Sequence, residues 1–397
     1  MQKRELDVLF VGTRFAMLFL LPLFISDVGI YQNFAHNLFA DGKLPYVGWD
    51  FEYPPLALPF VLIPGLVSKL LHQTSTESFR IVFGALILPF DFLLYRAFLL
   101  RPPIKGAAFA YVTLTSALGL LLYDRFDIAV GFALAWPFLT NPSEERFWLS
   151  WGLGGALKLV PLVVAPTRVL DWEGSNLDKL KRLVIFGVLS ALPLLLCVAT
   201  VAAVAGGKIS FFSHHSDRGV QVESLIASGV MLLQAFTGLI NVGVDNNFGA
   251  QHLAEIPGLV LASRILFFGS LIGSFAALWC DRARRDSLSA AWLLMLGFVT
   301  FGYVLSPQFL LWLLPLGICA ASRIEESKRG RWLAVFSWTI IFTGVHFRFY
   351  WDYVHLHQLA VLMLVTRNVL LVGLWGLSWA WMRPEKARVS ESLTAAL

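Results

Sequence analysis

The chain has 397 residues, of which 57% are hydrophobic and 14% charged, and it carries a formal net charge of +5. A soluble domain holds about 25% charged residues, so an ordinary water-exposed surface is excluded, and so slight a basic excess gives no argument for nucleic acid. Cys197, Cys280 and Cys319 lie in or beside apolar runs without metal-ligand spacing, and they read as packing residues, not a disulfide framework.

A helical span needs roughly 20 apolar residues. Backbone groups in lipid must bond within the segment, which dictates a helix bundle, and the runs lack the alternation of a barrel. The first run, 6–25, is followed by no small-residue cleavage site and by many further spans, so it is expected to stay in the membrane. The stretch 26–77 is predicted to be one long outer loop. Within it Tyr31, Phe34, Ala35, Leu38 and Phe39 recur at helical spacing, with Gln32, Asn33, His36 and Asn37 on the other face. Gly42 stands where such a helix would end. This predicts an amphipathic helix in the interface, and 54–71 is expected to lie along the membrane. Further spans are predicted at 78–99, 107–123, 183–205, 258–280, 288–305, 332–349 and 358–381, with shorter apolar runs at 128–139 and 308–320. Lys158 and Pro161 interrupt 147–170, which is predicted as a pair of half-helices that returns to its starting side. Basic clusters recur around 3–4, 96–105, 168–182, 282–285, 323–331 and 383–388, and placing them all in the cytoplasm satisfies the positive-inside rule. That choice puts 206–257 outside as a second outer loop, makes 225–240 interfacial or re-entrant, and gives about 11–12 crossings. The expected fold class is an all-α polytopic membrane protein, a single integral domain over 1–397, without internal repeat or soluble domain.

Polar residues concentrate in the outer loops. Asp27 follows the first span directly. It is placed to cap the amphipathic helix by accepting a backbone N–H, and equally to act as a general base at the outer surface. Asp50, Glu52 and Tyr53 precede Pro54-Pro55, which force an extended approach; Asp50 reads as a solvated turn, and Glu52 and Tyr53 suit contact with a sugar or a lipid headgroup. His214, His215, Asp217, Arg218, Gln221 and Glu223 form a polar patch in the second outer loop. Adjacent histidines diverge and make a poor metal site, whereas Arg218 beside a histidine suits a phosphate. Lys158 either snorkels or pairs with an anion. Asp124 and Arg125 read as part of a short loop, and Gly269 and Gly273 as helix packing. Ser306-Pro307-Gln308 breaks the chain between two apolar runs and places Gln308 to line a cavity. His346, Arg348, His355 and His357 flank the last outer turn without an assigned role. There is no Walker loop, Rossmann glycine pattern or Asp-x-Asp, so a transfer reaction here would draw on a donor already in the membrane.

The order of these motifs resembles a known superfamily. One span is followed by an early Asp, by Gly42-x-x-Pro45-Tyr46 and by Tyr53-Pro54-Pro55-Leu56. Then come Gly154-Gly155-Ala156-Leu157-Lys158-Leu159-Val160-Pro161, His215-x-x-Arg218-Gly219-x-Gln221-x-Glu223-Ser224, and Ser306-Pro307-Gln308-Phe309-Leu310-Leu311-Trp312-x-x-Pro315. The chain resembles the GT-C superfamily of integral membrane glycosyltransferases, and is most similar to the polyprenyl-phosphate-mannose-dependent mannosyltransferases of bacterial and archaeal envelopes. The resemblance implies a GT-C-type bundle and a catalytic carboxylate in the first outer loop, which falls on Asp27. Where some branches carry a paired acidic motif, this chain has Asp27-Val28-Gly29. The donor phosphate maps onto Arg218 and His215.

A polyprenyl phosphate is a good leaving group, so one base with cations on the phosphate suffices, unlike glycoside hydrolysis with its two carboxylates. The expectation is therefore an inverting transfer of a hexose, mannose by the resemblance, to a lipid or glycan acceptor on the extracytoplasmic face of the cell membrane. Asp27 takes the acceptor proton, Arg218 and His215 hold the phosphate, Glu52 and Tyr53 position the sugar, and Lys158 and Gln308 complete the substrate contacts. No metal ligands and no cofactor beyond the lipid-linked sugar donor are expected. Partners are that donor, the acceptor and membrane lipids. Two alternatives are a transporter or flippase of lipid-linked sugars, which would show two related halves, and a non-catalytic scaffold binding the same lipids.

Overall fold

The computed structural model describes residues 2–20, 26–73, 75–205, 218–247, 249–254, 256, 258–281 and 286–382. About three quarters of the described residues are helical, with almost no sheet. Among the described residues, four helices are long and apolar enough to cross a membrane: Thr76–Leu100, Asn176–Ala205, Leu259–Cys280 and Gln358–Trp381. Shorter apolar helical stretches run over Pro55–Leu70, Ala107–Leu122, Asp127–Thr140, Leu225–Thr237 and Ser287–Phe301. The chain folds as two compact units, Met1–Pro166 with Ser175–Asp217, and Thr167–Gly174 with Arg218–Leu397.

In the first unit α1 (Lys3–Phe15) runs into a π-helical turn, Ala16–Leu20, and the remainder of the predicted 6–25 span lies outside the described residues. The predicted amphipathic helix is present as α2 (Val28–Phe39), with Val28, Tyr31 and Ala35 on its buried face. Gly42 takes the left-handed conformation beyond its end, at φ 68°. The expected capping by Asp27 does not occur. Asp27 has helical dihedrals and its carboxylate receives no backbone N–H; Ser26 Oγ accepts from the Val28 N–H instead, at 3.1 Å. The physical reason is competition, since Asp27 is engaged by a cation described below. Next comes α3 (Leu58–Leu70), where Gly65 permits close approach to α2: a Cβ there would fall 2.3 Å from the Ala35 Cβ.

The helix α4 (Thr76–Leu100) is capped by Ser75, whose hydroxyl accepts from the Ser78 N–H, and α5 (Ala107–Leu118) ends at Gly119, at φ 61° and ψ −130°. An L side chain rarely adopts that backbone, and the turn swings the chain into the segment Tyr123–Asp127 ahead of α6 (Asp127–Thr140). The predicted half-helices appear as α7 (Glu144–Leu157) and α8 (Val160–Val164), separated by Lys158 in extended conformation. Against α7 runs α9 (Asn176–Ala205), so closely that a Cβ on Gly152 would meet the Ser190 carbonyl at 2.3 Å. The outer face of α9 exposes Val184, Ile185, Val188, Leu195 and Leu196, an apolar stripe suited to lipid.

An ion pair that the sequence reading passed over ties α1, α4 and α5 together. Arg14 Nε and Nη2 each lie 2.9 Å from an oxygen of Asp91, and Nη2 also donates to Thr115 Oγ1 at 2.6 Å. Tyr111 and Tyr123 donate their hydroxyls to the same carboxylate, at 2.7 and 2.5 Å. Arg14 and Asp91 are buried, and the forked geometry with extra donors is what makes such a pair tolerable in an apolar setting.

The second unit contains α10 (Leu225–Thr237), α11 (Leu259–Cys280), α12 (Ser287–Phe301), α13 (Leu310–Ala320), α14 (Glu326–Phe347), α15 (Tyr350–Val354) and α16 (Gln358–Trp381). Trp292 of α12 and Trp332 of α14 both donate to Ser378 Oγ of α16 at 2.9 Å, locking three helices around one hydroxyl. Gly269 and Gly273 do not pack a helix pair: no atom lies within 4 Å of a Cβ built on either. They sit on the outward face of α11 with Phe268 and Ile272. A small antiparallel hairpin, β1 (Val244–Asn247) and β2 (Ala250–Leu253), was not anticipated; β2 continues onto the backbone of Val220 and Val222.

Candidate functional site

In the first unit the charged residues that sequence analysis scattered along the chain converge beside α2. Asp27 Oδ2 is paired with Arg125 Nη1. Two residues on, Asp127 Oδ1 accepts from Lys158 Nζ at 2.8 Å. The Lys158 ammonium also lies 5.2 Å from the Tyr53 ring centre and 5.0 Å from that of Phe126, a cation–π arrangement. The break between α7 and α8 makes this possible, because Lys158 leaves the end of α7 in extended conformation where a helical residue would follow its turn. Tyr53 is buried, held edge-on to Phe126 at 4.9 Å, and its carbonyl accepts the Tyr46 hydroxyl at 2.6 Å. Tyr46 adopts φ 65°, an uncommon conformation for a residue with a side chain, and that turn delivers its ring to Tyr53. Glu52 is half-buried, and its charge acts on Asp27.

Exposure separates the members of this cluster. Asp27 keeps 18% of its side-chain surface, against 9% for Arg125, 11% for Lys158 and 1% for Asp127. Asp27 is therefore the acid of these two pairs that an incoming group can reach. Enclosure pushes its carboxyl above the ordinary carboxylate range, opposed by Arg125, and Glu52 adds to the rise. A raised carboxyl is the better base near neutrality. Among the described residues the side-chain hydrogen bond to Asp27 is the one from Arg125 to Oδ2, and Oδ1 carries none.

Of the remaining predicted residues, Arg218 and Gln308 belong to the second unit. His215 lies outside the described residues. Arg218 is half-buried, and its carbonyl accepts from Arg264 Nη2 at 3.4 Å. Arg264 in turn lies over the Tyr303 ring at 5.6 Å. Burial, and then the Arg218 charge, hold the His252 imidazole below its ordinary range. Gln308 is buried, and Ser306 Oγ donates to its Oε1. Glu223 is likewise buried. Its carboxylate receives the Tyr353 hydroxyl at 2.9 Å, and its carbonyl accepts from Arg367 at 3.1 Å and Asn368 at 3.3 Å. His346 Nε2 stands 3.6 Å from the same carboxylate. This knot fastens the start of α10 to α14, α15 and α16, which gives His346 a structural place. Among the described residues no group of three or more His, Cys, Asp or Glu side chains is arranged to hold a metal ion.

The chain matches no family model and no curated protein.

Sequence reading missed Asp127 and Arg125 as members of the site. The signal was available: four of the five residues in Tyr123–Asp127 are aromatic or acidic around one arginine, between two apolar runs. The rule that singled out Lys158, that an ionisable group in apolar surroundings needs a named partner, applies to these residues with equal force.

Proposed function

We propose that the chain is an integral membrane glycosyltransferase of the GT-C type, with about 11–12 crossings as the positive-inside pattern implies. It moves a hexose, mannose on the motif resemblance, from a polyprenyl-phosphate donor to a lipid or glycan acceptor on the extracytoplasmic face. The observation that carries the reading is the reachable Asp27 carboxylate, steered by Arg125 and backed by the Asp127–Lys158 pair. One oriented base with a raised proton affinity is what deprotonation of an acceptor hydroxyl requires. The leaving polyprenyl phosphate departs without acid help, and cations stabilise it. Tyr53 and Glu52 flank the carboxylate where a sugar ring would lie. A transporter would need charged groups that exchange partners as the path opens. The buried Arg14–Asp91 pair is instead fully engaged on both sides.

On the motif resemblance the donor phosphate falls to Arg218. Arg218→Ala is expected to raise the KM for the lipid-phosphate donor by about tenfold or more, since a charge-assisted hydrogen bond contributes roughly 1.5–3 kcal/mol. Steady-state kinetics with donor and acceptor varied separately checks this, and a change confined to the acceptor KM would count against it. Treatment with EDTA is expected to leave transfer intact, because Asp27 and Asp127 are each paired with a cation and, among the described residues, no group of three or more His, Cys, Asp or Glu converges to hold a metal ion. Loss of activity restored by Mg²⁺ or Mn²⁺ would recast Asp27 as a metal ligand.

A further inference from the structure

Behind Asp27 lies a second acid without an assigned task. Asp124 is 1% exposed, and its buried carboxylate has no close hydrogen bond beyond the Ser26 hydroxyl beside it. A buried carboxylate left in that condition is costly, and its surroundings are specific. On α4, Arg80 Nε stands 3.7 Å from Asp124 Oδ1, while Arg80 Nη2 donates to the carbonyls of Met17 and Leu18 at 2.7 and 3.1 Å. Those two carbonyls belong to the π-helical turn at the end of the first helix. From the same loop comes Arg125, the partner of Asp27, and Ser26 lies alongside, its hydroxyl accepting from the first N–H of α2. On the other side Tyr123 is anchored to Asp91. The charged groups facing Asp124 are thus Arg80, Arg125 and Asp27.

We propose that Asp124 and Arg80 are a positioning pair for the candidate site. Arg80 ties the end of the first helix to the Tyr123–Asp127 loop, and Asp124 shares the charge of Arg125 so that this arginine orients Asp27 without fully neutralising it. This rests on the reading of Asp27 as a base. Asp124 itself never touches substrate. Burial pushes its carboxyl up to about 6, against the pull of Arg80 and Arg125. Above that pH Asp124 is ionised and divides the attention of Arg125. Below it Asp124 is neutral, Arg125 turns wholly to Asp27, and the base weakens.

The test uses the purified full-length protein in detergent micelles. Label transfer from polyprenyl-phosphate-[¹⁴C]mannose to a membrane-lipid extract is followed from pH 5 to pH 9, and unfolding is followed by tryptophan fluorescence. The wild type should lose kcat as pH falls through about 6. Asp124→Asn should lower kcat at pH 8 by about tenfold to a hundredfold, as small misplacements of reacting groups do, with the donor KM unchanged and the limb near pH 6 gone. Its Tm should exceed the wild-type value at pH 8, because a carboxyl raised by burial destabilises the fold once ionised, and the two should converge towards pH 4. Arg80→Met should move the limb to higher pH, and Arg80→Lys should restore much of it. If Asp124→Asn does not fold, an unmoved limb in Arg80→Met overturns the proposal. A wild-type rate and limb in Asp124→Asn overturns it while leaving the reading of Asp27 standing. A folded wild type that transfers no label overturns both.

Discussion

Replacing Asp27 by Asn is expected to lower sugar transfer by about 10²–10⁴-fold, the usual loss when a general base is removed, in a protein that remains folded and membrane-inserted. The amide keeps an oxygen for Arg125, and the charge of Asp127 still acts on Arg125. Enclosure already raises the Asp27 carboxyl, so the ionised form is not what stabilises the fold, and a neutral isostere should alter Tm little. The decisive comparison is kcat for wild type and variant at equal folded concentration. Near-normal turnover by Asp27→Asn would remove this residue from the chemistry.

The largest effect on stability is expected at the buried Arg14–Asp91 pair. Arg14→Met should cost about 3–5 kcal/mol, the range for leaving one partner of a buried ion pair uncompensated. Asp91 would then sit buried with two tyrosine hydroxyls and no cation. The double variant Arg14→Met with Asp91→Leu should recover most of that loss, because removing both charges removes the desolvation cost as well. Unfolding midpoints for the four proteins of this cycle give the coupling directly. Additive losses would mean that the two side chains do not depend on each other.

The helical architecture was legible because apolar run length and helix punctuation act locally. The predicted boundaries 78–99, 258–280 and 358–381 lie close to α4, α11 and α16. The interruption at Lys158 appears as an extended residue between α7 and α8. The amphipathic helix after Asp27 was readable from its spacing, but the role of Asp27 as its cap was not borne out. Capping preference is a local rule, whereas Arg125, a partner 98 positions away, is supplied by the fold. The same limit hid Asp91, Arg14 and Arg80. Each is a lone charge within or beside an apolar run, and only packing reveals that another span carries its complement. Gly269 and Gly273 failed for the converse reason: the spacing that permits close packing does not specify a neighbour. The hairpin over Val244–Leu253 was masked by weak strand propensity, since Asp245, Asn246 and Asn247 are poor strand formers.

If the proposed function holds, transfer of a sugar from a lipid-phosphate donor depends on Asp27. The purified wild type, reconstituted in liposomes with polyprenyl-phosphate-[¹⁴C]mannose and a lipid extract, should release polyprenyl phosphate and label an acceptor with inverted anomeric configuration, and the Asp27→Asn protein should do neither. A folded wild type that leaves mannosyl, glucosyl and galactosyl polyprenyl phosphates untouched under the same conditions would contradict the account.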